Sequence, residues 1–252
     1  MKALCFFTCL LFFSANLHAE NWGHWRGPNG NSVAENATPP TEWSDTKNVK
    51  WKVAIPGKGS GSPVIWNEKV FVVTAVSVGG EAVPSAGGRG GSGRGSSGRG
   101  SSGRGSFGRG RSAPLAKTSF KILCFDKDSG KKLWEKTSTD ATPHQGVHST
   151  NNFASASPCT DGKHVYAFFG SRGLYCYTLD GELVWKRDDF GKMETRNGFG
   201  EGSSPTIAGD KIIVPWDHEG PSAIFALDKM TGKTIWKTDR DEPTNWSTPL
   251  IV

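Results

Sequence analysis

The chain has 252 residues with 33 glycines, 14 prolines and 10 tryptophans, and a formal net charge of +6. Such a length can bury a substantial core, and the abundance of turn residues without long helix-period runs excludes a helical bundle and points to an all-β chain. The charge is no general nucleic-acid signature: residues 89–111 carry six arginines and no acid, and the remainder balances 24 basic against 24 acidic residues.

The N-terminus places Lys2 before an apolar run from Ala3 to Phe13 and ends a more polar stretch at Leu17-His18-Ala19. That layout predicts a secretory signal peptide over 1–19, cleaved after Ala19. The run is too short for a membrane span of about 20 residues. Cys9 lacks the preceding small-residue pattern that lipid attachment needs. The expectation is therefore a soluble exported protein, periplasmic or extracellular, with no membrane span. Cleavage leaves Cys124, Cys159 and Cys176, too few for a full disulfide framework, and they read as small buried side chains.

Residues 20–48 are rich in Gly, Pro and Asn and predict an extended, turn-rich lead-in. Val49–Ile55 then alternates like a strand ending a blade, with Trp51 at the position where later repeats carry tryptophan. From Ser62 the chain repeats. Ser62-Pro63, Ser157-Pro158, Ser204-Pro205 and Thr248-Pro249 each open a first strand, where proline costs no ladder hydrogen bond. Short turns at Asn67-Glu68, Asp161-Gly162 and Gly209-Asp210 lead into second strands over Lys69–Val76, His164–Phe169 and Lys211–Trp216. Third strands follow over Phe120–Asp126, Gly173–Thr178 and Ala223–Asp228. Each runs through a turn rich in Asp and Gly into a fourth strand bearing Trp134, Trp185 or Trp236, spaced 51 and 51 residues apart. Gly130, Gly181 and Gly232 supply the turn conformations that other residues resist. Each tryptophan offers an apolar face for docking on the next blade and an N–H that needs a partner.

A strand repeat of this period implies a radial array of small sheets. The predicted fold is an all-β β-propeller of four-stranded antiparallel blades with tryptophan-docking motifs. It is an incomplete ring of about three blades plus flanking strands over 49–252, and the sequence stops inside a fourth first strand. The chain is expected to be a fragment or to close with another polypeptide. Residues 79–116 form an insert in which Arg89, Arg94, Arg99, Arg104 and Arg109 recur every five residues among Gly and Ser. It has little to bury and reads as disordered. It offers a weak polyanion contact and no specific nucleic-acid site.

The stretches ALDKMTGKTIW and CFDKDSGKKLW resemble the tryptophan-docking repeat of quinoprotein dehydrogenases and of PQQ-like β-propellers, including the propeller of the outer-membrane barrel-assembly machinery. The lead-in WRGPNG, with PTEW, NVKWKV and GSGSPVIW, is similar to exported bacterial PQQ-like propellers common in planctomycetes. The resemblance covers nearly the whole mature chain apart from the insert. For the enzyme branch it implies adjacent cysteines over the cofactor, a catalytic Asp and Ca²⁺ ligands on several blades; no two cysteines here are adjacent, and no position matches the others.

Strand alternation assigns the loops to faces. Short turns, including every Asp/Gly turn, share one face, and the long loops share the other. That long-loop face gathers His144, His148, Asn151, Arg172, Arg196, Asn197, Glu201, Asp217, His218, Glu219, Asp241, Glu242 and Trp246. Polar groups on rigidly supported loops are where binding sites form, so His148, Asn151, Arg172, Arg196, Glu201, Asp217, His218, Glu219 and Trp246 are the ligand-binding candidates. The competing reading is that they bond loop backbones or one another, including an Arg196–Glu201 pair. His144 and His148 have metal-like spacing, but Pro143 and Gly146 argue against a helix and no carboxylate completes a set, so no metal is expected. No phosphate-binding loop or nucleophile elbow occurs, and no catalytic residue is assigned.

The leading expectation is an exported, non-catalytic binding or scaffold protein with a protein or glycan partner on the long-loop face and no cofactor. The alternative is a PQQ-dependent quinoprotein dehydrogenase, with PQQ and Ca²⁺, whose site lies partly beyond Val252. A third is a polyanion-binding module driven by the insert.

Overall fold

The computed structural model describes residues 21–35, 37–79 and 115–252. The signal-peptide segment and most of the Arg/Gly insert lie outside the described residues.

Twelve strands form three four-stranded antiparallel sheets, each built from consecutive strands. The first blade contains β1 (Val64–Trp66), β2 (Lys69–Ser77), β3 (Thr118–Asp126) and β4 (Lys132–Ala141). The second contains β5 (Cys159–Thr160), β6 (His164–Phe168), β7 (Leu174–Thr178) and β8 (Leu183–Arg187). The third contains β9 (Thr206–Ala208), β10 (Lys211–Trp216), β11 (Ser222–Asp228) and β12 (Thr234–Arg240). The chain is an incomplete β-propeller, as its repeat implied.

Two apolar layers hold the blades together. Phe71, Phe120 and Ile122 of the first blade pack with Val165, Tyr175 and Tyr177 of the second. Tyr166, Phe168 and Leu174 of the second pack with Ile212, Val214 and Leu227 of the third. The second blade is thus buried on both faces, so β6 and β7 read as nearly continuous buried runs. Cys124 belongs to the first layer and Cys176 to the second, and all three described cysteines are free and buried. At the opposite extreme, every residue of β12 is exposed.

The blades are joined by one recurrent device. Trp51 Nε1 donates to the Lys127 carbonyl at 2.8 Å, Trp134 to that of Leu179 at 3.0 Å, and Trp185 to that of Lys229 at 3.0 Å. Each indole lies over the turn glycine of the following blade. A Cβ on Gly130, Gly181 or Gly232 would approach the ring to 2.6, 2.8 or 2.7 Å, so glycine is needed both for space and for the left-handed backbone there. Trp236 occupies the equivalent place on the third blade and is 40 % exposed.

The Ser/Thr-Pro openings carry a second joint that the proline argument does not anticipate. The Ser62 amide donates to Ser157 Oγ at 2.8 Å, the Ser157 amide to Ser204 Oγ at 2.9 Å, and the Ser204 amide to Thr248 Oγ1 at 3.0 Å. These hydroxyls tie successive innermost strands into a belt. The first strands themselves are short, beginning after each proline, and Thr248-Pro249 forms no strand.

The expected strand over Val49–Ile55 is not formed. A strand needs a laterally paired neighbour, and among the described residues none lies beside it. Trp51 nevertheless docks on the first blade and packs with Val70, Leu123 and Phe125. The lead-in crosses the innermost strands on the short-turn side. Trp22 and Ile65 exchange backbone hydrogen bonds of 2.9 and 2.8 Å, the Thr160 amide donates to the Gly23 carbonyl at 2.9 Å, and His24 Nε2 lies 3.1 Å from Thr206 Oγ1.

Candidate functional site

The antiparallel order puts the β2–β3, β4–β5, β6–β7, β8–β9 and β10–β11 connections at one end of the blades. Of these, the last four, together with Thr244–Trp246 after β12, line a bowl that opens to solvent around a cavity of about 40 Å³. Its wall includes His144, Gln145, Arg172, Thr195, Glu201, Asp217, Asn245 and Trp246.

The β6–β7 connection is built on a single 3-10 turn, Gly170–Arg172. Glu201 reaches into it from the loop after β8. Its Oε2 accepts from the Ser171 amide at 2.7 Å and its Oε1 from Ser171 Oγ at 2.5 Å. A Cβ on Gly170 would fall 1.5 Å from Glu201 Oε2, so the carboxylate occupies the space that glycine leaves. Burial holds the Glu201 carboxyl above the usual carboxylate range, and the two Ser171 bonds oppose that shift. The expected Arg196–Glu201 pair is not formed: Glu201 turns inward to Ser171, and Arg196 Nε pairs with Glu219 at 3.5 Å.

Beside this turn, Arg172 Nη2 lies 3.0 Å from His144 Nδ1, and His144 Nε2 lies 2.7 Å from the Met193 carbonyl. Because the carbonyl and the guanidinium fix one acceptor and one donor, His144 carries its proton on Nε2 and accepts on Nδ1. Gln145 clamps the neighbouring loop: Oε1 accepts from the Thr195 amide at 3.1 Å and Thr195 Oγ1 at 3.2 Å, while Nε2 donates to the Thr195 carbonyl at 3.2 Å.

The Asp217-His218-Glu219 run is consumed by its own surroundings. Asp217, 8 % exposed, accepts from Arg240 Nε at 2.8 Å and Asn245 Nδ2 at 2.6 Å. His218 Nδ1 accepts from the Gly220 and Glu194 amides at 3.0 and 3.2 Å, and Nε2 lies 3.1 Å from the Pro221 carbonyl. Glu219 Oε1 accepts from the Thr244 amide at 3.2 Å, and Thr244 with Arg196 holds its carboxyl below the usual range. Asn151 is likewise internal, donating to the Phe199 carbonyl at 2.7 Å and accepting from Ser155 Oγ.

The outer rim is aromatic. Trp246 Nε1 donates to the Gly200 carbonyl at 2.8 Å, Phe199 stands edge-on to the indole at 83° and 6.1 Å, and His148 lies 5.2 Å from Phe199. His148 Nδ1 is also 2.8 Å from Thr150 Oγ1. Arg172, Glu201, Asp217 and Trp246 therefore meet at one bowl. Asn151 lines a different hollow beside Gly57 and Val73, His148 stands against Phe199, Arg196 and Glu219 line an adjoining shallow hollow, and His218 is buried. Ser171, Gln145 and Thr195 were not singled out from sequence. Their residue types are common loop constituents, and only the close approach of three loops gives them roles.

Residues 118–250 match the family model PQQ_2, described as outer membrane protein assembly factor BamB. No curated protein matches the chain. Among solved structures it is similar to the quinohemoprotein alcohol dehydrogenase of Comamonas testosteroni, at 13 % identity and TM-score 0.41, covering 73 % of this chain and 21 % of that one. It is similar also to a europium-containing methanol dehydrogenase, at 11 % identity and TM-score 0.46, covering 88 % and 32 %. For BamB of Moraxella catarrhalis the identity is 16 %, the TM-score 0.31 and the coverage 49 % and 34 %. The chain spans between a fifth and about a third of the length of these structures. More than half of it lies within the matched model, and it belongs to the PQQ_2 family.

Proposed function

We propose that this member of the PQQ_2 family is an exported, non-catalytic binding or scaffold protein that engages a protein or glycan partner through its long-loop face. One observation carries the reading. Three acids and an imidazole that the sequence places on that face are spent on the loops themselves, Glu201 on Ser171, Asp217 on Arg240 and Asn245, His218 on backbone, Glu219 on Thr244 and Arg196, while Asp241 and Glu242 stay exposed to solvent. A general acid or base must reach the proton it moves, and these groups are turned into the loops that they brace. What they build instead is a rigid wall below exposed aromatic side chains, the composition that interaction surfaces favour.

The donor chemistry does not fit PQQ with Ca²⁺. Among the described residues Arg172 is the one lysine or arginine on the bowl wall to meet an anionic quinone. The two carboxylates there already have partners, and among the described residues no group of three His, Cys, Asp or Glu converges on a point. No reaction step is therefore drawn through the cofactor.

The test is a reconstitution. The full chain, incubated with PQQ and Ca²⁺, is expected to gain no stoichiometric quinone absorbance and no dye-linked oxidation of alcohols or sugars. Uptake of one quinone per chain together with dye reduction would establish the dehydrogenase alternative in its place.

A further inference from the structure

We infer that the bowl is a seat for an acidic saccharide, with the Arg172 guanidinium receiving a uronate-type carboxylate and the exposed indole of Trp246 receiving the face of a sugar ring. The inference rests on the binding reading above and names the class of its ligand.

Arg172 differs from the other described arginines. Arg187, Arg196 and Arg240 each pair with an acid, and Arg26 lies on the lead-in, bonded to Ser32 Oγ. Among the described residues Arg172 has no acid within ion-pair distance. Its contact is with His144 Nδ1, an imidazole nitrogen that accepts a hydrogen bond and orients the guanidinium without cancelling its charge. Glu201, whose charge Arg172 favours without an ion pair, spends both oxygens on Ser171. The remaining guanidinium N–H groups form the planar fork that carboxylates accept in bidentate fashion.

The aromatic half of the seat is equally specific. Trp246 is held by its Nε1–H on Gly200 and rests against Gly202, where a Cβ would lie 3.1 Å from the ring. Its position is thus fixed from below, and the residue is 44 % exposed. Phe199, 37 % exposed, stands edge-on to the indole. On the long loops these two are the exposed aromatic residues among the described ones, and Val78 is exposed at the start of the β2–β3 connection. Two rings fall well short of a protein interface, which covers about 800 Å² on each partner. They suit the apolar face of one pyranose, whose hydroxyls remain free for solvent and loop amides. The charge of the ligand follows from Arg172, and its ring from Trp246.

The seat is tested by titrating the full chain calorimetrically, at fixed ionic strength, with trigalacturonate, with neutral galactotriose and with a triglutamate peptide. Trigalacturonate is expected to bind about 10- to 100-fold more tightly than the neutral trisaccharide, the range set by a charge-assisted hydrogen-bonded pair. Arg172→Gln should remove that advantage, and Arg172→Lys should recover part of it because the charge returns without the fork. Trp246→Ala should weaken both sugars. Arg172→Lys keeps a donor toward His144, so it decides the matter if the glutamine variant fails to fold. Equal affinity for charged and neutral sugar overturns the seat, as does the absence of binding. Tighter binding of triglutamate overturns the saccharide assignment and leaves the binding reading intact. Uronate binding that survives Arg172→Gln assigns the contact to the Arg/Gly insert and also overturns it. Quinone uptake with dye reduction, by contrast, would remove the non-catalytic reading alone.

Discussion

Substituting Gly232 by alanine probes the joint between the second and third blades. The added Cβ would stand 2.7 Å from Trp185 Cε3, and the backbone there has φ +70°. Left-handed backbone costs a residue with a Cβ about 1–2 kcal/mol. Moving the indole aside also breaks its bond to the Lys229 carbonyl, which keeps the Tyr166 hydroxyl as a donor at 3.2 Å, a further loss of ~0.5–1.5 kcal/mol. It disturbs the Tyr166–Trp185 contact as well, whose rings lie 6.0 Å apart. With about 0.5–1.5 kcal/mol for that aromatic contact, the expected loss for Gly232→Ala is about 2–5 kcal/mol.

Gly209 supplies the control. It has φ +60° in the turn between β9 and β10, and nothing lies within 4 Å of an added Cβ. Gly209→Ala therefore bears the backbone cost alone, about 1–2 kcal/mol. Urea unfolding of both variants and the parent, followed by tryptophan fluorescence and circular dichroism, measures the gap between them. A gap of about 2 kcal/mol shifts the midpoints apart by roughly 1 M when the urea slope is about 2 kcal/mol/M. In a Trp185→Phe background the gap should close, because the indole that the Cβ strikes is gone. Equal losses for the two glycine variants, or a gap unchanged by Trp185→Phe, would refute the claim that the turn glycine exists to receive the tryptophan.

Three further outcomes follow from the same structure. Ser204→Ala strips the acceptor from the buried Ser157 amide and should cost about 1–3 kcal/mol, whereas Ser204→Thr should recover most of it, since Thr248 fills the same role one repeat later; chemical denaturation of the pair decides. Burial raises the Glu201 carboxyl in the folded chain, so its contribution is fully present below the ordinary value of 4.5 and is lost as pH rises through the folded pKa. The stability difference between parent and Glu201→Gln should change in the parent's disfavour over that interval, and a difference independent of pH would contradict the burial. Burial also pushes the Cys124 and Cys176 thiols up to about 12 and raises Cys159 further, so none should react with a thiol-specific disulfide at pH 8 until the chain unfolds. Rapid labelling of native protein would disprove their enclosure.

The blades were legible because their determinants are local. Alternation within Lys69–Val76 or Lys211–Trp216, an Asp/Gly turn and a tryptophan at fixed spacing each fall within about a dozen residues. The faces were legible too, since antiparallel alternation alone sorts turns from loops. What the sequence could not supply was which loop group meets which. Arg196 and Glu201 are five residues apart and look like a pair, yet Gly170, 31 residues before Glu201, opens the space that draws Glu201 away. The Val49–Ile55 stretch has strand alternation but no neighbour, so it forms a docked extended segment. The serine belt was visible only as a recurrent Ser/Thr-Pro. Proline explained why the position begins a strand, and the hydroxyl's target lies a whole repeat away.

The two ends of the blades carry different obligations, and that difference bears on where a ligand enters. At the short-turn end, Gly130, Gly181 and Gly232 are committed to indoles, and the lead-in lies across β1, β5 and β9. Gly23 is held so close that a Cβ would stand 2.8 Å from the Thr160 carbonyl oxygen. Changing those residues breaks a joint between blades. At the long-loop end the same strands are already braced by Gln145 on Thr195, Glu201 on Ser171 and Asp217 on Arg240, and side chains beyond those braces add single polar contacts between loops. Arg172 and Trp246 are such side chains: each is oriented by one neutral contact, His144 or the Gly200 carbonyl, and each keeps its functional surface turned outward. Recognition can therefore be tuned at that end without loosening the stack, because the residues that hold the ligand are separate from the residues that hold the fold.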